Sequence, residues 1–188
     1  MTYQETAIPG VWIIDPLVHS DARGYFVETF KQQEFESVIG KVNFVQENES
    51  SSFRGVLRGL HFQLSPKSQA KLVRVISGCV LDIAVDVRTD SPTFGQYVSV
   101  ELSGENKRQL FIPRGFAHGF HVLTDKVIFT YKVDNLYAPD LEGGIRYDDP
   151  AIGIDWKIAV DEQLNLSAKD TSAPLLKDAK LNFIYKEK

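Results

Sequence analysis

The sequence predicts an all-β fold, a sandwich or a small barrel. Three observations predict it. Short apolar runs follow one another between turn signals. Several runs alternate apolar and polar residues with a period of two. Aromatic residues make up 11% of the chain, with 12 Phe and 7 Tyr, a usage that favours strands and binding pockets.

The first periodic segment is the exception. Phe30, Phe35, Val38 and Ile39 fall on one stripe at helical spacing, and Gly40 supplies a stop. A strand follows over residues 56–63, VLRGLHFQ, where a glycine and two titratable groups interrupt the apolar run. Period two puts His61 on the face of Leu57 and Gly59, and Gly59 either leaves space there or makes a bulge that re-aims Arg58. Residues 71–76 form the next strand. The clearest strand is residues 80–88, with Leu81, Ile83, Val85 and Val87 on one face and Asp82, Ala84, Asp86 and Arg88 on the other. A turn at Asp90-Ser91-Pro92 ends it. Residues 97–102, 109–112, 116–123 and 127–133 complete the run of strands. SAKD, residues 167–170, reads as a helix entry or a loop.

A small barrel of this strand count is filled by side chains or holds one ligand. Polar residues on one face of several otherwise apolar strands suggest a ligand cavity, since an unpartnered buried polar group costs roughly 1–3 kcal/mol. With 188 residues, 43% hydrophobic, the chain suits a single domain over residues 1–188, with a C-terminal tail from about 160. A net charge of −4 with no Lys/Arg block argues against nucleic-acid backbone binding. Cys79 is the only cysteine, so no intrachain disulfide forms. MTYQETAIPG lacks the marks of a signal peptide, and no apolar run approaches the ~18 residues of a membrane span. The expectation is a soluble cytoplasmic protein.

His61 admits three readings. A lone histidine in a strand is most often a packed structural residue. A metal ligand needs companions, and His61 has no nearby His or Cys. His118 and His121 are three apart and so face opposite sides of a strand. A general base needs an orienting carboxylate, for which Asp82, Asp86 and Asp170 are candidates. Lys71 is either a snorkelling edge lysine or a cation for a developing oxyanion. Tyr131 is either a core tyrosine, on the face of Phe129 and Val133, or a proton donor. Arg23, Arg58 and Lys169 are ordinary surface residues or, together, a diphosphate clamp. P-loop, dinucleotide and serine-elbow motifs are absent from the sequence.

An ordered set of stretches goes further: RGYFVE (residues 23–28), QEN (46–48), GVLRGLHFQ (55–63), QAKLVRV (69–75), DIAVDVR (82–88), SPTFG (91–95), IPRGFAHGF (112–120) and SAKD (167–170). Together they resemble the dTDP-4-dehydrorhamnose 3,5-epimerase family, from about Arg23 to Pro174. The resemblance implies a cupin-like jelly-roll barrel of antiparallel strands with a few short helices. It also implies a homodimer, its interface including the N-terminal segment, that works without metal or other cofactor in dTDP-rhamnose and O-antigen biosynthesis. The implied substrate is dTDP-4-dehydro-6-deoxy-D-glucose, inverted at C3 and C5. In these terms His61 is the base, Asp170 its partner and Tyr131 the acid, with Lys71 and His118 near the sugar carbonyl. Arg23, Gln46, Asn48, Arg58 and Lys169 are implied nucleotide-sugar contacts, Phe26 and Glu28 thymine contacts supplied by the partner subunit, and Tyr137 and Glu142 further substrate contacts. Two departures stand out. Glu47 and Glu49 flank Asn48, unexpected charge beside a diphosphate, and Leu136 stands where members often carry a second aromatic. Related alternatives are an epimerase acting at C3 or C5 alone, a 3,4-ketoisomerase of the same barrel class, and a non-catalytic nucleotide-sugar binding barrel.

Overall fold

Two antiparallel sheets face each other, and the apolar alternation of their strands builds the space between them. A computed structural model describes residues 1–185. The first sheet has six strands in the order β1 (Thr2–Glu5), β2 (Trp12–Asp15), β10 (Gln109–Ile112), β7 (Lys71–Ser77), β12 (Lys126–Val133) and β5 (Gln46–Phe53). The second has five, in the order β13 (Glu142–Gly144), β6 (Leu57–Gln63), β11 (Phe116–Val122), β8 (Cys79–Asp86) and β9 (Tyr97–Ser103). The hairpin of β3 (Val18–Asp21) and β4 (Gly24–Val27) stands apart as a two-stranded ribbon. This is the jelly-roll barrel expected.

The inner faces meet in one cluster. Val73, Val75, Leu110, Ile112, Val127 and Phe129 come from the larger sheet, and Val80, Ala84, Val100, Leu102, Phe116 and Phe120 from the smaller. Both faces of β8 are buried. Leu81, Ile83, Val85 and Val87 lie outward, under Trp156, Leu176 and Phe183 of the C-terminal segment, while Val80 and Ala84 face inward. The polar residues on that inward face, Asp82 and Asp86, are therefore fully buried.

The expected strands from β6 to β12 all form. Residues 2–5, 12–15, 18–21, 24–27, 46–53 and 142–144 add strands that the pattern did not mark, because they are short, polar or edge-lying. The early helix forms as α1 (Gln32–Val38), with Phe35 buried and Gly40 at φ +112° just beyond it. Val38 departs from the expected stripe and is 42% exposed; only Phe30, Phe35 and Ile39 pack against the sheet. SAKD opens α2 (Ala168–Ser172), capped by Ser167.

Candidate active site

A bulge where β6 meets β11 sets the site. His61 pairs with His118, but Arg58 pairs with Phe120, so Gly59 and Leu60 together oppose the single residue Gly119. The extra residue breaks the period of two. Leu57 and Leu60 turn outward into the C-terminal cluster, whereas Arg58 and His61 share the register of the inward-facing Phe120 and His118. The expected sharing of a face by His61 and Leu57 is thus corrected. Glycine is required at the crossing. Gly59 has φ +135°, and a Cβ there would lie 2.5 Å from Gly119 Cα.

His61 meets Asp170. Its Nε2 lies 2.8 Å from Asp170 Oδ1, with the histidine side chain 35% exposed and the carboxylate only 3%. The contact lies off the ring's preferred N–H direction, and Nε2 has no better-aligned partner. Asp170 itself is held tightly. Oδ1 also accepts the Gly59 N–H at 3.1 Å, and Oδ2 accepts the Ser167 N–H at 3.0 Å and its hydroxyl at 2.6 Å. Ser167 Oγ in turn accepts the Asp170 N–H, which closes a capping box on α2. Burial alone would raise the pKa of Asp170; His61, Ser167 and the Gly59 N–H outweigh it and hold it at about 2. Of the three candidate orienters, only Asp170 reaches His61. Asp86 is occupied by Arg88, Ser91 and Thr93.

Asp82 serves another histidine. His118 Nε2 lies 3.0 and 3.1 Å from its two oxygens, both residues being buried. Burial pushes the His118 pKa down against the pull of Asp82, and pushes Asp82 up against His118 and Lys71, so each is drawn towards its neutral form. Lys71 shares the inward face of β7 with Val73 and Val75, near Asp82 and Glu142. Because β7 lies between β10 and β12, Lys71 is not an edge lysine. Desolvation lowers its pKa to about 8 despite those two carboxylates. His121 faces the opposite side of β11, as its spacing requires, and bonds to the Trp156 carbonyl.

Tyr131 comes from the facing sheet. It packs beside Phe129, which stacks on His118 and Phe120. Burial raises its pKa, offset in part by Arg58 and Asn48, so the phenol keeps its proton at neutral pH. Arg58 reaches across to Ser52 Oγ of β5 at 3.2 Å. Along β5 the alternation is strict: Gln46, Asn48, Ser50 and Ser52 are more buried, Glu47, Glu49, Ser51 and Phe53 exposed. Asn48 pairs in register with Tyr131. The flanking acids therefore point away from the Asn48 face, and Glu47 binds Lys132 at 2.7 Å.

A second group surrounds Tyr137. Its hydroxyl lies 3.4 Å from Glu142 Oε2, which also accepts Lys169 Nζ at 2.6 Å. Its N–H donates to Gln46 Oε1, and Gln46 Nε2 donates to Asn48. Gln63 pins the same loop by donating to the Leu136 carbonyl and accepting the Ala138 N–H. Sequence reasoning passed over Gln63, Ser167 and Ser52. The Ser-x-x-Asp spacing of Ser167 and Asp170 was the one available signal.

Arg23, Phe26 and Glu28 are not brought to this cluster within the chain. Arg23 pairs with Asp21, Phe26 is 69% exposed, and Glu28 faces Lys31 at 3.8 Å. A cavity of about 810 Å³ lies elsewhere, around Trp12, Gly40, Phe111 and Arg114, and none of the acid–base residues lines it. Among the described residues no three His, Cys, Asp or Glu side chains gather as a metal site, and no helix is long and apolar enough to cross a membrane. What the cluster offers is a carboxylate-backed imidazole on one sheet, a protonated phenol on the other, and an amine with a lowered pKa near them.

Known proteins match nearly all of the chain. The sequence profile of dTDP-4-dehydrorhamnose 3,5-epimerase matches residues 5–178. The chain is 55% identical over 178 residues to the dTDP-4-dehydrorhamnose 3,5-epimerase of Salmonella typhimurium, spanning 94% of this chain and 96% of that one. It is similar, at a TM-score of 0.95 and 48% identity over 99% of both chains, to the dTDP-6-deoxy-D-glucose-3,5-epimerase of Legionella pneumophila solved with dTDP-4-keto-L-rhamnose. A 3′-monoepimerase of Streptomyces bikiniensis, solved with dTDP-quinovose, is less alike, at TM-score 0.86 and 36% identity over 92% of this chain and 86% of its own. With a profile match of that length and a relative sharing more than half of the aligned residues, the chain belongs to the dTDP-4-dehydrorhamnose 3,5-epimerase family.

Proposed function

We propose that His61, Tyr131 and Lys71 carry out the reaction of this 3,5-epimerase, which converts dTDP-4-dehydro-6-deoxy-D-glucose to dTDP-4-dehydro-L-rhamnose. The observation that carries the assignment is the His61–Asp170 pair on one sheet with the protonated Tyr131 on the facing one. The protons at C3 and C5 are acidic because each carbon adjoins the C4 ketone. His61 takes one as general base, and Asp170 holds the imidazole and stabilises its cation. The electrons move onto the C4 oxygen, where the Lys71 ammonium meets the enolate charge. Tyr131 then protonates the carbon from the other face, and both groups re-equilibrate with solvent. A second round inverts the second centre. Inversion at both carbons is favoured over a single one because the 3,5-epimerases are closer in sequence than the 3′-monoepimerase.

The test is deuterium incorporation in D₂O. His61→Asn should abolish exchange at C3 and C5 together with turnover, a loss of at least ~10² in rate. Tyr131→Phe should still exchange, reprotonating on the His61 side, while making little inverted product. Exchange at the wild-type rate by His61→Asn removes His61 from the base role.

The same proposal includes binding of the nucleotide diphosphate by Arg58 and Lys169, a cytoplasmic location in keeping with the single unpaired thiol of Cys79, and a homodimer. The hairpin carrying Arg23 and Phe26, with Glu28 just after it, projects with Tyr25 58% and Phe26 69% exposed, which suits a segment that completes a partner's site. Mixing inactive Glu28 and His61 variants should restore activity in heterodimers; no recovery after proven subunit exchange removes the sharing.

A further inference from the structure

Behind the acid–base residues lies a third histidine–carboxylate contact, on the outer face of β11. His121 is fully buried, with Nδ1 3.0 Å from the Trp156 carbonyl oxygen. A carbonyl only accepts, so Nδ1 carries a hydrogen. Nε2 faces Glu162 Oε1 at 3.4 Å, and both atoms are buried without a hydrogen-bond partner of their own. The other oxygen of Glu162 accepts the Ala159 N–H at 3.2 Å. A bare imidazole lone pair against a buried carboxylate is repulsive, and the two atoms have only each other as polar neighbours.

The contact fastens a particular stretch of chain. The Trp156 ring packs within 3.2 Å of where a Cβ on Gly119 would sit, beside the bulge. Asn165 donates to the Gly55 carbonyl at 2.8 Å and accepts the Leu57 N–H at 3.3 Å, at the start of the strand that carries Arg58 and His61. Gln163 O lies against Gly55, where a Cβ would come within 2.5 Å of it. Ser167, two residues after Asn165, is the cap that holds Asp170 Oδ2 through its N–H and its hydroxyl. The position of the carboxylate behind the base is therefore set by a segment whose buried polar anchor is the His121–Glu162 contact.

We propose that His121 and Glu162 are positioning residues for the reaction, a pin that holds the chain leading to Asp170 in register with the strands carrying His61 and His118. The proposal rests on the reading of His61 and Asp170 as the working pair. The experiment uses the full-length protein with Glu162→Ala, Glu162→Gln and, should the alanine variant not fold, Glu162→Met, which fills the volume without polar atoms. Three quantities are measured: kcat and KM against pH, deuterium wash-in at C3 and C5, and backbone amide exchange over residues 159–170. Glu162→Ala should lower kcat roughly tenfold or more with KM little changed, since a small misplacement of catalytic groups is costly. It should also speed amide exchange at residues 167–170, where Ser167 holds Asp170 Oδ2. Glu162→Gln should recover most of the rate, because its amide can donate to the Nε2 lone pair. Wild-type kcat in Glu162→Ala would overturn the pin as a positioning device, even if the melting temperature fell. A wild-type protein inactive on the 4-keto sugar would sink the functional reading alone. In that case the pin is judged by amide exchange, and unchanged protection of residues 167–170 in Glu162→Ala overturns it.

Discussion

Replacing Asp170 by asparagine separates its two contributions, to stability and to catalysis. Each carboxylate oxygen faces two donor groups: Gly59 N–H and His61 Nε2 at Oδ1, Ser167 N–H and hydroxyl at Oδ2. An amide has one acceptor and one donor, so whichever side the NH₂ takes, it meets donors and loses their bonds. The pKa of Asp170, lowered from 3.8 to about 2, gives the scale. At 1.36 kcal/mol per unit, the ionised form contributes about 2 kcal/mol to stability. The residue is 2% exposed, so solvent screening takes little away. The folded value lies below the unfolded one, so this stability is complete above 3.8 and drains as pH falls towards 2. Asp170→Asn should therefore unfold about 2 kcal/mol more easily than wild type in guanidinium at neutral pH, and the deficit should shrink by about pH 3. In catalysis the imidazolium loses a charge 2.8 Å away, and kcat should fall by about 10²–10⁴. A folded variant with kcat within tenfold of wild type, or a stability deficit that stays constant as pH falls, would refute the reasoning.

Lys71 supplies an alkaline signature. Burial lowers its pKa to about 8, so its cation is present below that pH and lost above it, and kcat/KM should decline as pH rises through it. Lys71→Met should cost about 10²–10³ in kcat, and Lys71→Arg should carry whatever activity it keeps to higher pH; an arginine variant with the wild-type alkaline limb assigns that limb to another group. Gly59→Ala places a Cβ 2.5 Å from Gly119 Cα at φ +135°, so it should destabilise by roughly 1–3 kcal/mol in denaturant and lower kcat more than a stability loss alone explains. An alanine variant as active and as stable as wild type would show that the bulge does not depend on glycine.

How far the site could be read from sequence depends on what kind of contact makes it. Strands β6 to β12 were legible because a buried face imposes period two on the chain itself, as Leu81, Ile83, Val85 and Val87 show. The edge strand β5 was not, because Gln46, Asn48, Ser50 and Ser52 turn polar side chains inward, and a polar inner face looks like a loop to a hydrophobic pattern. The face of His61 was misread for a related reason: one inserted residue reverses every later assignment in a strand, and nothing in LRGLH states on which side of Gly59 the period resumes. Pairings between distant elements left less trace still. Asp82, Asp86 and Asp170 were equivalent on the page until Arg88, Ser91 and Thr93 claimed the second, His118 the first, and the α2 cap turned the third towards His61. That division follows from where each acid lies. Asp82 faces inward among desolvated groups and is pushed towards neutrality, whereas Asp170 sits among four donor contacts that keep it charged. A base facing a ketone needs a neighbour that stays ionised while the imidazole cycles between its two states. Of the three acids only the capped one, ionised and within reach of His61, meets that need.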